Sequence, residues 1–77
     1  MKDRKLIEIV VKSYFHENKD LDVMKIGELL KESLNIKISN IELEGKYLRI
    51  LYGSKKNEKE IIFEINKDKI KTKRENR

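Results

Sequence analysis

The sequence predicts an α+β fold in which two N-terminal helices pack on one face of a three-stranded antiparallel sheet, in the order ααβββ. Three observations support this class. Apolar residues recur at helical spacing as far as Asn35, and beyond it they alternate with polar residues as in strands. The last two alternating segments flank a polar, glycine-containing stretch typical of a hairpin loop. The chain contains no proline that would interrupt these strands.

Two segments carry the helical pattern. The first covers residues 2–17, and its apolar stripe consists of Ile7, Val10, Val11 and Tyr14. The second is "DLDVMKIGELLKESLN", where Asp20 or Asp22 is expected to cap the helix, because a carboxylate accepts hydrogen bonds from free backbone N–H groups. Asn35 is expected to end it, since asparagine tolerates a left-handed backbone. Gly27 costs about 1 kcal/mol relative to alanine inside a helix, which suggests a close helix–helix contact there.

The strand segments follow with a period of two. The break in alternation at Ser39–Asn40 predicts a β-bulge or register shift, and Glu44–Gly45 predicts a turn. The last two strands form a hairpin whose loop lies near residues 53–59. One face of this hairpin is expected to meet the helices, and its residues are Leu48, Ile50, Tyr52, Ile61, Phe63 and Ile65.

Composition and charge divide the chain into two parts. Residues 1–66 are expected to form a single α+β domain, with 13 Lys/Arg against 12 Asp/Glu, whereas residues 67–77 hold 6 Lys/Arg against 2 Asp/Glu. This second part is expected to be a basic, flexible C-terminal tail, because no apolar pattern is evident in it. No apolar run is long enough to span a membrane or to act as a signal segment, so the expected location is cytoplasmic.

Residues for catalysis or metal binding are scarce. The chain has no cysteine and one histidine, so neither a thiolate site nor a zinc site is expected. Ser13 and His16 lie at i and i+3, but no third group is evident that would orient them, so we interpret them as an exposed polar pair. The three glycines are too far apart to form a phosphate-binding loop. We therefore expect a protein that is not an enzyme, with no cofactor, metal or small-molecule substrate.

The basic residues lead to a first hypothesis, which is binding to the phosphates of DNA, with RNA as an alternative. Lysines at the tip of the hairpin and in the C-terminal segment are expected to lie against a phosphate backbone, where neutralised phosphates release counterions. Such binding needs no base-specific contact. The candidate residues are Arg49, Lys55, Lys56, Lys59, Lys67, Lys69, Lys71, Lys73 and Arg74.

The stretch "KIGELLKESLNIKISNIELEGKYLRILYGSKKNEKEIIFEI" resembles a winged helix-turn-helix domain. The resemblance covers roughly residues 25–65 and implies a DNA-binding protein whose wing is the loop 53–59. It would make "ISNIELEG" (residues 38–45) the recognition helix, and this segment departs from the family pattern because it is β-branched and acidic. Glu42 and Glu44 would be repelled by phosphates, so binding in such a domain would depend on the wing and the tail.

The alternative hypothesis is a protein-binding module or inhibitor that uses the far face of the hairpin. Tyr47, Leu51 and Ile62 are expected to point away from the helices, and exposed apolar clusters often mark contact sites. If the register were shifted by one residue, the two faces would be exchanged. A homodimer is expected under either hypothesis, because a small domain without metal or disulfide gains stability from self-association.

Overall fold

The computed structural model describes residues 2–73, which form two helices and a four-stranded antiparallel sheet. The α+β class is confirmed, but the sheet has four strands where the sequence predicted three. The elements, in chain order, are α1 (Lys2–Asn18), α2 (Val23–Leu34), β1 (Ile38–Glu44), β2 (Tyr47–Gly53), β3 (Glu58–Asn66) and β4 (Lys69–Lys73).

The sheet is a simple meander, with strand order β1-β2-β3-β4 and each strand antiparallel to the next. Both helices cover the same face of it: α1 contacts β4, α2 contacts β1, and the helices contact each other. The core lies between these two layers. Its fully buried members are Ile7, Val11, Ile26, Leu30, Leu48, Ile50, Ile61 and Phe63.

Both ends of α2 lie where the capping residues in the sequence predict them. The Asp22 carboxylate accepts hydrogen bonds from the backbone N–H groups of Met24 and Lys25, at 3.1 and 3.4 Å. Asn35 adopts the left-handed conformation (φ 56°), and its N–H donates to a carbonyl in the last turn. Gly27 does not mark a close helix contact, because no atom lies within 4 Å of the position that a Cβ would occupy there.

The irregularities of β1 and β2 also agree with the sequence. The register between these strands shifts between Ile38 and Asn40, at the predicted bulge. Gly45 has a φ of 62° in the turn that joins β1 to β2. The hairpin loop is shorter than predicted, since β3 begins at Glu58 and therefore includes Lys59.

Residues 69–73 correct the expectation of a flexible tail that starts at residue 67. They form β4, in which Ile70 is paired with Ile65 and Thr72 with Phe63. The segment "KIKTK" alternates with a period of two, so Ile70 and Thr72 face the helices while the lysines face outward. These two inward-facing residues are enough to hold β4 against the core, because β3 and α1 supply the remaining contacts of the strand. Residues 74–77 lie outside the described residues.

Candidate interaction surface

The sheet has a second face, which points away from α1 and α2, and we call it the outer face. Side chains alternate between the two faces along each strand. Because Leu48, Ile50 and Tyr52 lie in the core, their neighbours on β2 lie on the outer face. The cross-strand register extends this face over all four strands. Its residues are Asn40, Glu42, Glu44, Tyr47, Arg49, Leu51, Gly53, Glu58, Glu60, Ile62, Glu64, Asn66, Lys69, Lys71 and Lys73.

Two rows of paired residues cross the middle of the outer face. The register of the first row, from β1 to β4, is Glu42, Arg49, Ile62, Lys73. The register of the second row is Glu44, Tyr47, Glu64, Lys71. Each row therefore begins with a carboxylate on β1 and ends with an ammonium group on β4. The outer face is acidic along one edge strand and basic along the other.

Arg49 lies on the outer face between carboxylates of the two neighbouring strands. Its Nε donates a hydrogen bond to the Glu60 carboxylate, and its Nη1 lies 3.7 Å from Glu42 Oε1. The hydrogen bond to Glu60 and the charge of Glu60 raise the pKa of Arg49, and the charges of Glu42 and Glu44 add to this effect. The positive charge of Arg49 is thus shared between carboxylates on both neighbouring strands, which leaves less of it for an outside phosphate.

Tyr47 lies beside two lysines. The Lys73 Nζ is 5.1 Å from the centroid of its ring, and the Lys46 Nζ is 5.7 Å from the same centroid. Both distances are within the range of a cation–π contact. Lys46 also forms an ion pair with Glu64, at 3.4 Å. The ring is therefore held between the acidic and basic sides of the outer face.

The three apolar residues predicted to point away from the helices do so, although they are half-buried where an exposed cluster was expected. Tyr47, Leu51 and Ile62 are half-buried, and they lie on β2 and β3, the two central strands. An open concavity of about 370 Å³ passes between the acidic and basic edges, and its lining residues are Glu42, Glu44, Tyr47, Arg49, Ile62 and Lys73.

The lysines predicted to bind nucleic acid do not form one surface. Lys55 and Lys56 lie in the loop between β2 and β3, whereas Lys67 lies in the turn between β3 and β4, at the opposite end of the sheet. The length of β3 separates these two ends by roughly 27 Å at about 3.3 Å per residue. Lys69, Lys71 and Lys73 follow the outer face of β4, and Arg74 lies outside the described residues.

Lys59 lies on the side of the sheet that the helices cover. It is paired with Tyr52, whose side chain is in the core, so both residues share that face. There it borders a shallow opening near the start of α1, together with Arg4. Arg4 donates from Nη1 to the carbonyl oxygen of Glu60, at 3.3 Å. Lys59 is therefore not a neighbour of the outer-face lysines.

The sequence did not indicate that Glu42, Glu44 and Glu64 belong to the same surface as the C-terminal lysines. From the sequence, Glu42 and Glu44 were considered only as carboxylates that phosphates would repel. The signal that was available is the alternation of "KIKTK", which places its lysines on one face once the segment is recognised as a strand.

Comparison with protein-family models, curated proteins and solved structures gives no significant match to this chain. The segment that the winged-helix resemblance would use as a recognition helix is strand β1 in the structure. Among the described residues, no cluster of three or more His, Cys, Asp or Glu is placed to hold a metal ion. Neither described helix has the length and apolar character needed to cross a membrane.

Proposed function

We propose that this protein is a non-enzymatic protein-binding module that docks its partner on the outer face of the sheet. The observation that carries the proposal is the order of side chains across that face. Tyr47, Leu51 and Ile62 lie on the central strands, with carboxylates along β1 and lysines along β4. Protein interfaces commonly combine an apolar centre, in which aromatic residues are enriched, with a polar rim.

The charges of the outer face favour a protein over a nucleic acid. Five carboxylates, those of Glu42, Glu44, Glu58, Glu60 and Glu64, share this face with the basic residues. A polyanion laid across the sheet would meet both signs of charge, and the repulsion from the carboxylates would offset the attraction of β4. A protein surface can present the opposite order of charges, so both edges contribute to specificity.

A second candidate function is phosphate binding by the lysines of β4 alone. Lys69, Lys71 and Lys73 form a straight row at about 6.7 Å intervals, two residues apart along the strand. Within residues 2–73, none of them forms an ion pair. This row lies at the edge of the sheet, so a nucleic acid could follow it without crossing the carboxylates of β1.

Site-specific photo-cross-linking in the cell of origin tests the docking role. A photoreactive amino acid at Leu51, on the outer face, should give discrete cross-linked protein products. The matched control position is Met24, which is exposed on α2 and apolar. Products obtained from position 51 and not from position 24 would support the proposal. Identical products from both positions, or none from position 51, would overturn it.

Salt-dependent binding to fluorescent DNA tests the second candidate. We expect duplex DNA to bind weakly if at all, and any binding should lose its salt dependence in the triple variant K69Q/K71Q/K73Q. Each lysine that contacts a phosphate contributes about 0.9 to the slope of log affinity against log salt. The double variant K55Q/K56Q is the control for general loss of positive charge. A larger loss of slope in the loop variant would reject the β4 row as the phosphate site.

A further inference from the structure

We infer that the partner of the outer face is a second copy of this chain, related to the first by a twofold axis parallel to the strands. This inference rests on the proposed docking role of the outer face. It follows from the charge order already described, in which β1 is acidic and β4 is basic on the same face. A surface with this order is complementary to itself in one orientation.

When the strands of two facing sheets are aligned, a twofold axis between the sheets runs either along the strands or across them. An axis along the strands places β1 over β4 of the second copy and β2 over its β3. An axis across the strands places each strand over its own equivalent. Since interfaces of this symmetry use the same patch on both copies, the two orientations can be compared residue by residue.

The axis along the strands brings opposite charges together. Glu42 then faces Lys73 of the second copy, and Glu44 faces its Lys71, because each pair ends the same row of the sheet. By symmetry, each of these pairs occurs twice. The alternative axis would place Glu42 and Glu44 against their own equivalents and β4 lysines against β4 lysines, and like charges brought together across an interface are unfavourable.

The central strands are complementary in the same orientation. Because β2 lies over β3 of the second copy, Arg49 faces Ile62 of that copy, while Leu51 and Tyr47 face its Glu60 and Glu64. Each Ile62 then lies near the axis beside Tyr47 and Leu51 of the other copy, and each Arg49 lies within reach of the other copy's Glu60 and Glu64 carboxylates. Packed sheets align their strands within about 30° and lie about 10 Å apart. The half-buried apolar side chains fill that space together with Arg49, Glu60 and Glu64, and the charged edges close it on both sides.

The size of the face predicts a weak dimer. Four strands about 4.8 Å apart, each contributing about 20 Å of length, give a flat footprint of roughly 400 Å² per copy. The total of about 800 Å² is below the 1,200–2,000 Å² that is typical of stable complexes. We therefore expect a dissociation constant on the order of 10–100 µM that rises with salt, because exposed charge pairs are screened.

Sedimentation equilibrium of charge-reversal variants tests the inference. The wild type should change from the 9.3 kDa monomer to twice that mass as its concentration is raised. Either E42K/E44K or K71E/K73E alone should weaken self-association by at least about tenfold, since four favourable pairs become repulsive. An equimolar mixture of the two variants should restore a dimer. The control E28K/E32K makes the same charge change on α2 and should behave like the wild type.

The mixture separates a specific pairing from a general effect of net charge or from misfolding, and circular dichroism confirms that each variant is folded. A wild type that stays monomeric at millimolar concentration would overturn the inference, and so would charge-reversal variants that dimerise as well as the wild type. Mixing the single variants E42C and K73C with a short bismaleimide cross-linker then tests the axis. The mixed product should dominate over the E42C homodimer, and the reverse would overturn the assigned orientation.

Different results would contradict the docking role of the outer face and the inference that its partner is a second copy. If the purified chain is a monomer but position 51 cross-links to a protein of another mass in cells, the second-copy inference fails and the docking role remains. If position 51 gives no protein product and the purified chain is a monomer, both are wrong.

Discussion

Gly53, at the end of β2, gives the sharpest test of the local structure at the hairpin loop. Its φ of 105° lies in a region that residues with a Cβ rarely adopt. In Gly53→Ala, the new Cβ would lie 2.5 Å from the carbonyl oxygen of Asn57. That oxygen cannot move away easily, because its peptide unit leads into Glu58, which is paired with Gly53 in the sheet. On the other side, the Asn57 N–H donates to the carbonyl oxygen of Ser54 at 3.0 Å and to the Ser54 Oγ at 3.2 Å.

The expected cost combines the backbone conformation and the steric contact. An unfavourable positive φ costs about 1–2 kcal/mol, and relieving the contact brings the total to about 2–3 kcal/mol. A domain of this length has a free energy of unfolding of about 4–12 kcal/mol. Since 1 kcal/mol shifts the Tm of such a domain by about 4–8 °C, we expect the Tm to fall by about 10–20 °C.

Thermal unfolding followed by circular dichroism measures this change, with urea unfolding as a second measurement of the free energy. The matched control is Gly45→Ala, because Gly45 has a positive φ of 62° and no atom within 4 Å of the added Cβ. The control should lose only about 1 kcal/mol. Equal losses in the two variants would show that the contact with Asn57 contributes nothing.

Three further substitutions test the packing and the capping of the helices, each by chemical or thermal unfolding. Gly27→Ala should stabilise the protein by about 0.5–1 kcal/mol, since the added methyl group meets no atom within 4 Å and alanine favours the helix; a loss of stability would contradict this. Asp22→Ala should cost about 1 kcal/mol because two backbone N–H groups of α2 lose their acceptor, and an unchanged Tm would reject that role. Phe63→Ala, at a fully buried position, should cost about 3–5 kcal/mol and leave a large unfolded fraction; a cooperative transition near the wild-type Tm would contradict the assigned core.

The helices and the central hairpin were predictable because each depends on local signals. The Asp22 cap, the left-handed Asn35 and the irregularity near Ser39–Asn40 are set by residues within a few positions of one another. The alternation along β2 and β3 assigned the buried face correctly, since a one-residue error would have placed charged side chains in the core. These features required no knowledge of long-range contacts.

The last strand was not predicted because its stability comes from its neighbours. Within β4, only Ile70 and Thr72 point toward the core. The strand that pairs with them is β3, and the helix that contacts β4 is α1. By composition alone, a lysine-rich C-terminal segment is typical of a flexible tail. The surrounding fold outweighs that local preference, since it supplies a paired edge and an apolar surface for the segment.

The candidate surface was predictable only in part for the same reason. Tyr47, Leu51 and Ile62 follow directly from the alternation of two strands that are adjacent in sequence. The placement of Glu42 and Lys73 at opposite ends of one row does not follow from it, because that placement depends on the order of all four strands and on the register of β4. The lysines at the hairpin tip and in the C-terminal segment therefore suggested a phosphate-binding protein, whereas the positions of the charges in the sheet favour a protein-binding surface.

Backbone amide chemical shifts, measured as the protein concentration is raised from about 20 µM to about 1 mM, test most directly whether the outer face is the contact surface. Self-association through the outer face predicts progressive shifts around Arg49, Leu51 and Ile62, and none around Glu28 and Glu32 on α2. Shifts that cluster on the helices would contradict the assignment of the outer face, and no shifts at the highest concentration would contradict self-association.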